Sequence, residues 1–175
     1  MSPRNPILGA LFLSLLPGCN GSPDPATTAE LRKAFDDYRA ATLARDFRKV
    51  LGMLSRKYRA TMMTGDSCAR DLDVRKTWPA ERLEAEARSF DLTVEQFGRM
   101  SPEEYHVARS LSVMKFPKDA WAIENLHWKR ARLHEGRAVC TVFLAERMAE
   151  EMTVAFVKED GAWRMDYWIS ASPAH

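Results

Sequence analysis

His106 and His127 are the side chains best suited to move a proton in this chain, because imidazole titrates near neutral pH without help from its surroundings. His106 falls in SPEEYHVARSLSV and His127 in ENLHWKRARLH. Either could serve as a general base, and for either a satisfied or solvated histidine is the plainer reading. In the closing run GAWRMDYWIS, strict alternation puts Trp163, Met165, Tyr167 and Ile169 on one face, with Arg164, Asp166, Trp168 and Ser170 on the other. Tyr167 is thereby a pocket candidate alongside the two histidines. Asp166 shares its face with Arg164, so an ion pair accounts for it without catalysis. His127 and His134 are seven residues apart, an odd spacing that sends them to opposite faces of a strand, so no metal pair is expected. No phosphate loop, GxSxG elbow or dinucleotide fingerprint occurs, and neither a metal nor a cofactor is expected.

The chain has three cysteines, without the paired CxxC spacing of a zinc site and too few for a disulfide framework. Cys68 follows the turn-forming Thr64-Gly65-Asp66-Ser67 and is expected in that loop. Cys140 lies in RAVCTVFLAER, on one face with Val142 and Leu144. In an oxidising compartment Cys68 and Cys140 could be bridged; Cys140 could equally be plain core. Cys19 is different. It ends MSPRNPILGALFLSLLPGC, where Arg4 supplies a positive start and Ile7 to Leu16 an apolar run too short to span about 30 Å of hydrocarbon. Residues 1–18 therefore read as a secretory leader. Leu16-Pro17-Gly18-Cys19 resembles the bacterial lipobox, with Pro17 in place of the usual Ala or Ser, and that resemblance implies a diacylglycerol on Cys19. Two or three acyl chains anchor stably, since each buried methylene contributes ~0.8 kcal/mol. Residues 19–28, rich in Gly, Ser and Pro, read as a flexible tether.

The elements that must position these groups fall into two halves. Thr27 with Glu30 is expected to cap a first helix, along which Leu31, Ala34, Phe35, Tyr38 and Ala41 form one stripe. Asp46 caps a second, with Phe47, Val50, Leu51 and Leu54. Arg39, Arg45, Arg48 and Lys49 read as solvated faces. Residues 56–63 fit a short strand or a continuing helix, and the polar ARDLDVRK reads as irregular. Pro79 suits the first turn of another helix, Thr93 with Gln96 opens a short one, and Ser101-Pro102-Glu103-Glu104 opens a longer one that Pro117 should stop. From Trp121 to Ser170 the chain reads as four strands. Glu135-Gly136 and Asp160-Gly161 mark two tight turns, because both central residues of a type I′ turn need φ > 0. Net charge is +2, from 26 basic and 24 acidic residues, too balanced for a nucleic-acid footprint.

The order of these pieces resembles the nuclear transport factor 2-like (SnoaL-like) superfamily. FDDYRAATLARDFRKVLGMLSRKY is similar to its opening helix pair and GAWRMDYW to its last strand; residues 64–117 are longer and more helical than that pattern. The resemblance implies an α+β fold over residues 29–172, N-terminal helices packed on a curved antiparallel sheet, a cone-shaped half-barrel with a pocket beneath the helices. It is closest to lipid-anchored bacterial lipoproteins. Enzymatic members, the ketosteroid isomerase and cyclase kinds, hold an acid or base in that cone, but their acid, base and tyrosine do not map onto positions here.

The expectation is a lipid-anchored envelope protein, facing the periplasm or exterior, that binds a small apolar ligand or another protein. An outer sheet face rich in Trp, Phe and Arg would suit a second copy of the chain. A small isomerase or cyclase is the alternative.

Overall fold

The computed structural model describes residues 21–63, 68–144 and 147–169, of which 147–150 and 167–169 through their backbone only. Eight helices precede four strands: α1 Pro25–Leu43, α2 Phe47–Met53, α3 Arg56–Met63, α4 Cys68–Lys76, α5 Ala80–Ser89, α6 Val94–Arg99, α7 Pro102–Val113, α8 Pro117–Glu124, β1 Leu126–His134, β2 Arg137–Leu144, β3 Arg147–Glu159 and β4 Ala162–Ile169. The strands form one antiparallel sheet in the order β1-β2-β3-β4, open at both ends and not closed into a barrel. The fold is α+β, as its sequence order implied.

Glu135 and Asp160 have φ of 49° and 50°, and the glycines that follow them 76° and 78°. Both hairpins therefore close through type I′ turns, whose twist matches that of the strands. Leu31 and Phe35 of α1 press on the sheet and are fully buried, together with Leu51, Leu126, Ala138, Cys140, Val142, Val154, Phe156 and Met165. Each large side chain in such a position contributes about 1.5–3 kcal/mol. The centre of the interior beneath the helices, where the resemblance implied a pocket, is thus packed with carbon, and a cleft of about 370 Å³ remains at its edge between α1 and β4.

The register shifts in all three strand pairs, between Phe143 and Leu144 in β2–β3 among them, and two of these shifts redraw the faces of the sheet. The β1–β2 register slips between Trp128 and Arg130, so Ala131 joins Leu126 and Trp128 in the core and strict alternation fails beyond that point. The β3–β4 register slips at Asp166, with Ala155 opposite Tyr167 and Phe156 opposite Met165.

The helices depart from expectation in instructive places. Helix α1 begins at Pro25 with Asp24 as its cap, accepting from the Thr27 amide at 2.8 Å. Proline at the first helical position fixes the start, which takes residues 25–28 out of the expected tether. Glu30 is then free of capping duty and accepts from Lys158 Nζ at 2.9 Å and the Trp163 indole at 3.1 Å. Arg39 and Arg45 are not simply solvated. Arg39 donates to the carbonyls of Ile123 and Glu124, both at 3.1 Å, and Arg45 to that of Met114 at 3.2 Å. They satisfy the orphan carbonyls at the ends of α8 and α7. Residues 56–63 are helix. So is ARDLDVRK, because Cys68 and Leu72 are buried one turn apart and Asp71 pairs with Arg75. Pro117 starts α8 rather than only stopping α7, so Trp121–Glu124 is helical and the first strand begins at Leu126. The capping boxes at Thr93–Gln96 and Ser101–Glu104 form as read.

A second core, Cys68, Leu72, Ala87, Phe97 and Tyr105 with Phe90 beside them, belongs to α4–α7. Phe90 stacks on Phe97, and Tyr105 meets both edge-on.

Helix α3 is tied to β4 at one buried point. Ser55 and Asp166 are 0% and 5% exposed. The Ser55 hydroxyl donates to Asp166 Oδ1 at 2.6 Å and accepts from the Tyr58 amide at 3.0 Å, while the Ser55 amide donates to the Met165 carbonyl at 2.7 Å. Arg137 lies 3.7 Å from the other carboxylate oxygen. Ser55→Ala removes a helix cap and a charge-assisted hydrogen bond together. We expect it to cost about 1.5–3 kcal/mol in urea unfolding; a loss under about 0.5 kcal/mol would contradict this role.

Candidate functional site

The cleft with the richest chemistry lies among the helices, not under the sheet. It encloses about 640 Å³, within the range of small-molecule sites. Phe47 comes from α2, Tyr58, Thr61 and Met62 from α3, Cys68 from the first position of α4, His106, Arg109, Ser110 and Val113 from α7, and Ala122 and Ile123 from α8. Most of this wall is carbon. Its position follows from the helix ends: Ser55 sets where α3 starts, and Arg39 and Arg45 hold the last carbonyls of α8 and α7.

Cys68 Sγ and His106 Nδ1 stand 3.5 Å apart on this wall, within reach of a sulfur hydrogen bond. Burial, followed by the charge of Arg109, lowers the pKa of His106, and Glu103 partly offsets them. The imidazole is therefore neutral at pH 7 and able to accept a proton. Behind the pair, the Tyr105 hydroxyl donates to Asp71 Oδ2 at 2.7 Å, and Arg109 approaches the same oxygen at 3.4 Å. Burial opposes ionisation of Asp71, but Tyr105, Arg75 and Arg109 outweigh it and hold the carboxyl below its usual range. Burial and this same bond push the Tyr105 phenol up. Glu103 pairs with Arg59 of α3 at 2.8 Å, tying two walls of the cleft together.

The expected site residues scatter. Among the described residues, His106 and Cys68 reach the cleft. His127 is exposed on the outer sheet face, with its ring 5.6 Å from Phe143. His134 is exposed as well, because the bulge restores it to the side of His127. Roughly 20 Å of strand still separates the two, and no group of His, Cys, Asp and Glu among the described residues could hold a metal ion. The side chain of Tyr167 and all of Cys19 lie outside the described residues. Cys68 and Cys140 are both thiols, buried in separate cores, so of the two readings left open for Cys140 the structure has the core one and not the bridge. Burial pushes the Cys140 thiol up to about 12. Cys68 itself, expected in a loop, was overlooked as a cleft residue; its four-residue step to Leu72 was the available signal.

No family model matches the chain, and no curated protein or solved structure matches it either. No described helix is long and apolar enough to cross a membrane.

A histidine whose folded pKa is depressed binds fewer protons than in the unfolded chain, so its contribution to stability is lost as pH falls. The unfolding midpoint should drop between about pH 7 and 5.5, and His106→Gln should shrink that drop. An equal drop in the variant would show that other groups carry it.

Proposed function

We propose that the chain is a lipid-anchored envelope protein of the nuclear transport factor 2-like kind that binds a small apolar ligand between its helices. The observation that carries the binding reading is the mostly carbon-walled cleft of about 640 Å³, whose polar groups include Cys68, His106, Arg109, Ser110 and Asp119. A ligand with an apolar body and a polar head fits that distribution. The leader ending in Leu16-Pro17-Gly18-Cys19 supports the anchor. The outer sheet face, with exposed Lys129, Arg130 and Arg132 around half-buried Phe143, is the surface left for a protein partner or a second copy.

The isomerase or cyclase alternative draws less support. A base in the cone would need space and a carboxylate not already paired: Leu31, Phe35, Val142 and Phe156 fill the centre, and the cleft of about 370 Å³ left between α1 and β4 carries Glu30 and Asp37, each paired with a lysine. Asp166, the buried carboxylate on the sheet, is engaged by Ser55 and Arg137.

Two measurements test the proposal. Cys19→Ser should release the protein from the membrane fraction, and unchanged attachment would refute the lipid anchor. Val113→Trp, at a half-exposed cleft position, should weaken binding of a fluorescent apolar probe about tenfold or more by filling its space. Binding at wild-type affinity would place the ligand elsewhere.

A further inference from the structure

Cys68 combines three properties that the binding reading does not use. Its sulfur lies 3.5 Å from a nitrogen of His106, it lines the apolar cleft, and it is only 3% exposed. A thiol with a proton acceptor in contact is a nucleophile in waiting, since the thiolate is the reactive form. Low exposure adds a filter. At 3% exposure, which already counts the cleft wall, the sulfur shows only a sliver to the cleft. A reagent must lodge in the apolar cleft and displace a neighbouring side chain to reach it, so an apolar one is favoured over a water-soluble one. Cys140 is the internal contrast: equally buried, but in the main core, away from the cleft and with its thiol pushed up to about 12.

We propose that Cys68 and His106 form a covalent capture site for apolar α,β-unsaturated carbonyl compounds; this rests on the cleft being the ligand site. Conjugate addition asks for a nucleophile and a proton carrier, and those are the two groups in place. The Cys68 S–H bond breaks and its proton passes to His106 Nδ1, in the tautomer that already carries a proton on Nε2. The sulfur lone pair then forms a bond to the β-carbon of the ligand. The π pair of the C=C bond shifts to give an enolate, and the α-carbon takes the proton back from His106. Every atom of both reactants is retained in a thioether adduct, with no leaving group, oxidant or reductant.

The probes are trans-2-nonenal, its shorter homologue trans-2-pentenal, and 1-nonanol, which keeps a long chain and lacks the electrophile. Each is added to the full chain, and adducts are located by peptide mass spectrometry. Nonenal should label Cys68 and spare Cys140. Relative to N-acetylcysteine, it should do so roughly tenfold or more faster than pentenal, since its extra methylenes are buried in the cleft. His106→Gln should slow the labelling roughly 100-fold, and Cys68→Ala should abolish it at that peptide. Equal labelling of Cys140, no advantage of nonenal over pentenal, or an unchanged rate in His106→Gln would each overturn the proposal, and the last two do not depend on how Cys68→Ala folds. Nonanol separates the two readings. If it displaces a fluorescent apolar probe and nonenal still leaves no Cys68 adduct, the capture site falls and the binding cleft stands. If neither compound displaces the probe, the cleft reading falls and takes the capture site with it.

Discussion

A single buried carboxylate fixes how the helical half sits on the sheet. Asp166 is charge brought into a core, and such a group is tolerated only where donors surround it. Here the partners come from both halves: the Ser55 hydroxyl donates at 2.6 Å from the helices, and the Arg137 guanidinium stands 3.7 Å away on the sheet. Ser55 in turn caps α3, so the contact that satisfies the charge also decides where that helix begins. Tyr58, Thr61 and Met62 of α3 are one wall of the cleft. The position of the cleft therefore depends on a hydrogen bond between residues 111 apart in sequence.

A second constraint works at the other end of the same cleft. Helix α1 turns into α2 through Arg45, whose φ of 58° is a left-handed conformation. The Asp46 amide reaches back to the Ala41 carbonyl and the Arg45 amide to that of Thr42, a Schellman closure that usually recruits glycine. An arginine at this position is strained, but its side chain reaches the Met114 carbonyl at the end of α7. Arg39, a turn and a half earlier, does the same for α8. One side chain of α1 and one of the turn that follows it thus hold the helices that face α3 across the cleft.

Much of the fold was legible because local chemistry decides it. Glu135-Gly136 and Asp160-Gly161 dictate their turns, and Ser101 with Glu104 dictates a helix start, whatever lies nearby. What could not be read is what the partner decides. A bulge is a property of two strands, so the slips at Lys129 and Asp166 inverted the face assignments made by alternation alone. The run from Trp121 alternates like a strand, yet Pro117 and the grip of Arg39 on its last carbonyls make its first half a helix. At the site, His106 was readable from its residue type and Cys68 was not. The two are 38 residues apart in sequence, and the polar composition of 69–76 concealed the helix that brings them together.

The proposed ligand site lies between the helices and not beneath the sheet. Titrating 1-nonanol into isotope-labelled protein and following backbone amide shifts tests it directly. Saturable changes are expected centred on Thr61, Ser110 and Ala122, with Ala138 and Val154 of the packed core unmoved. Saturable changes centred on Ala138 and Val154, or on the outer sheet face, would contradict it.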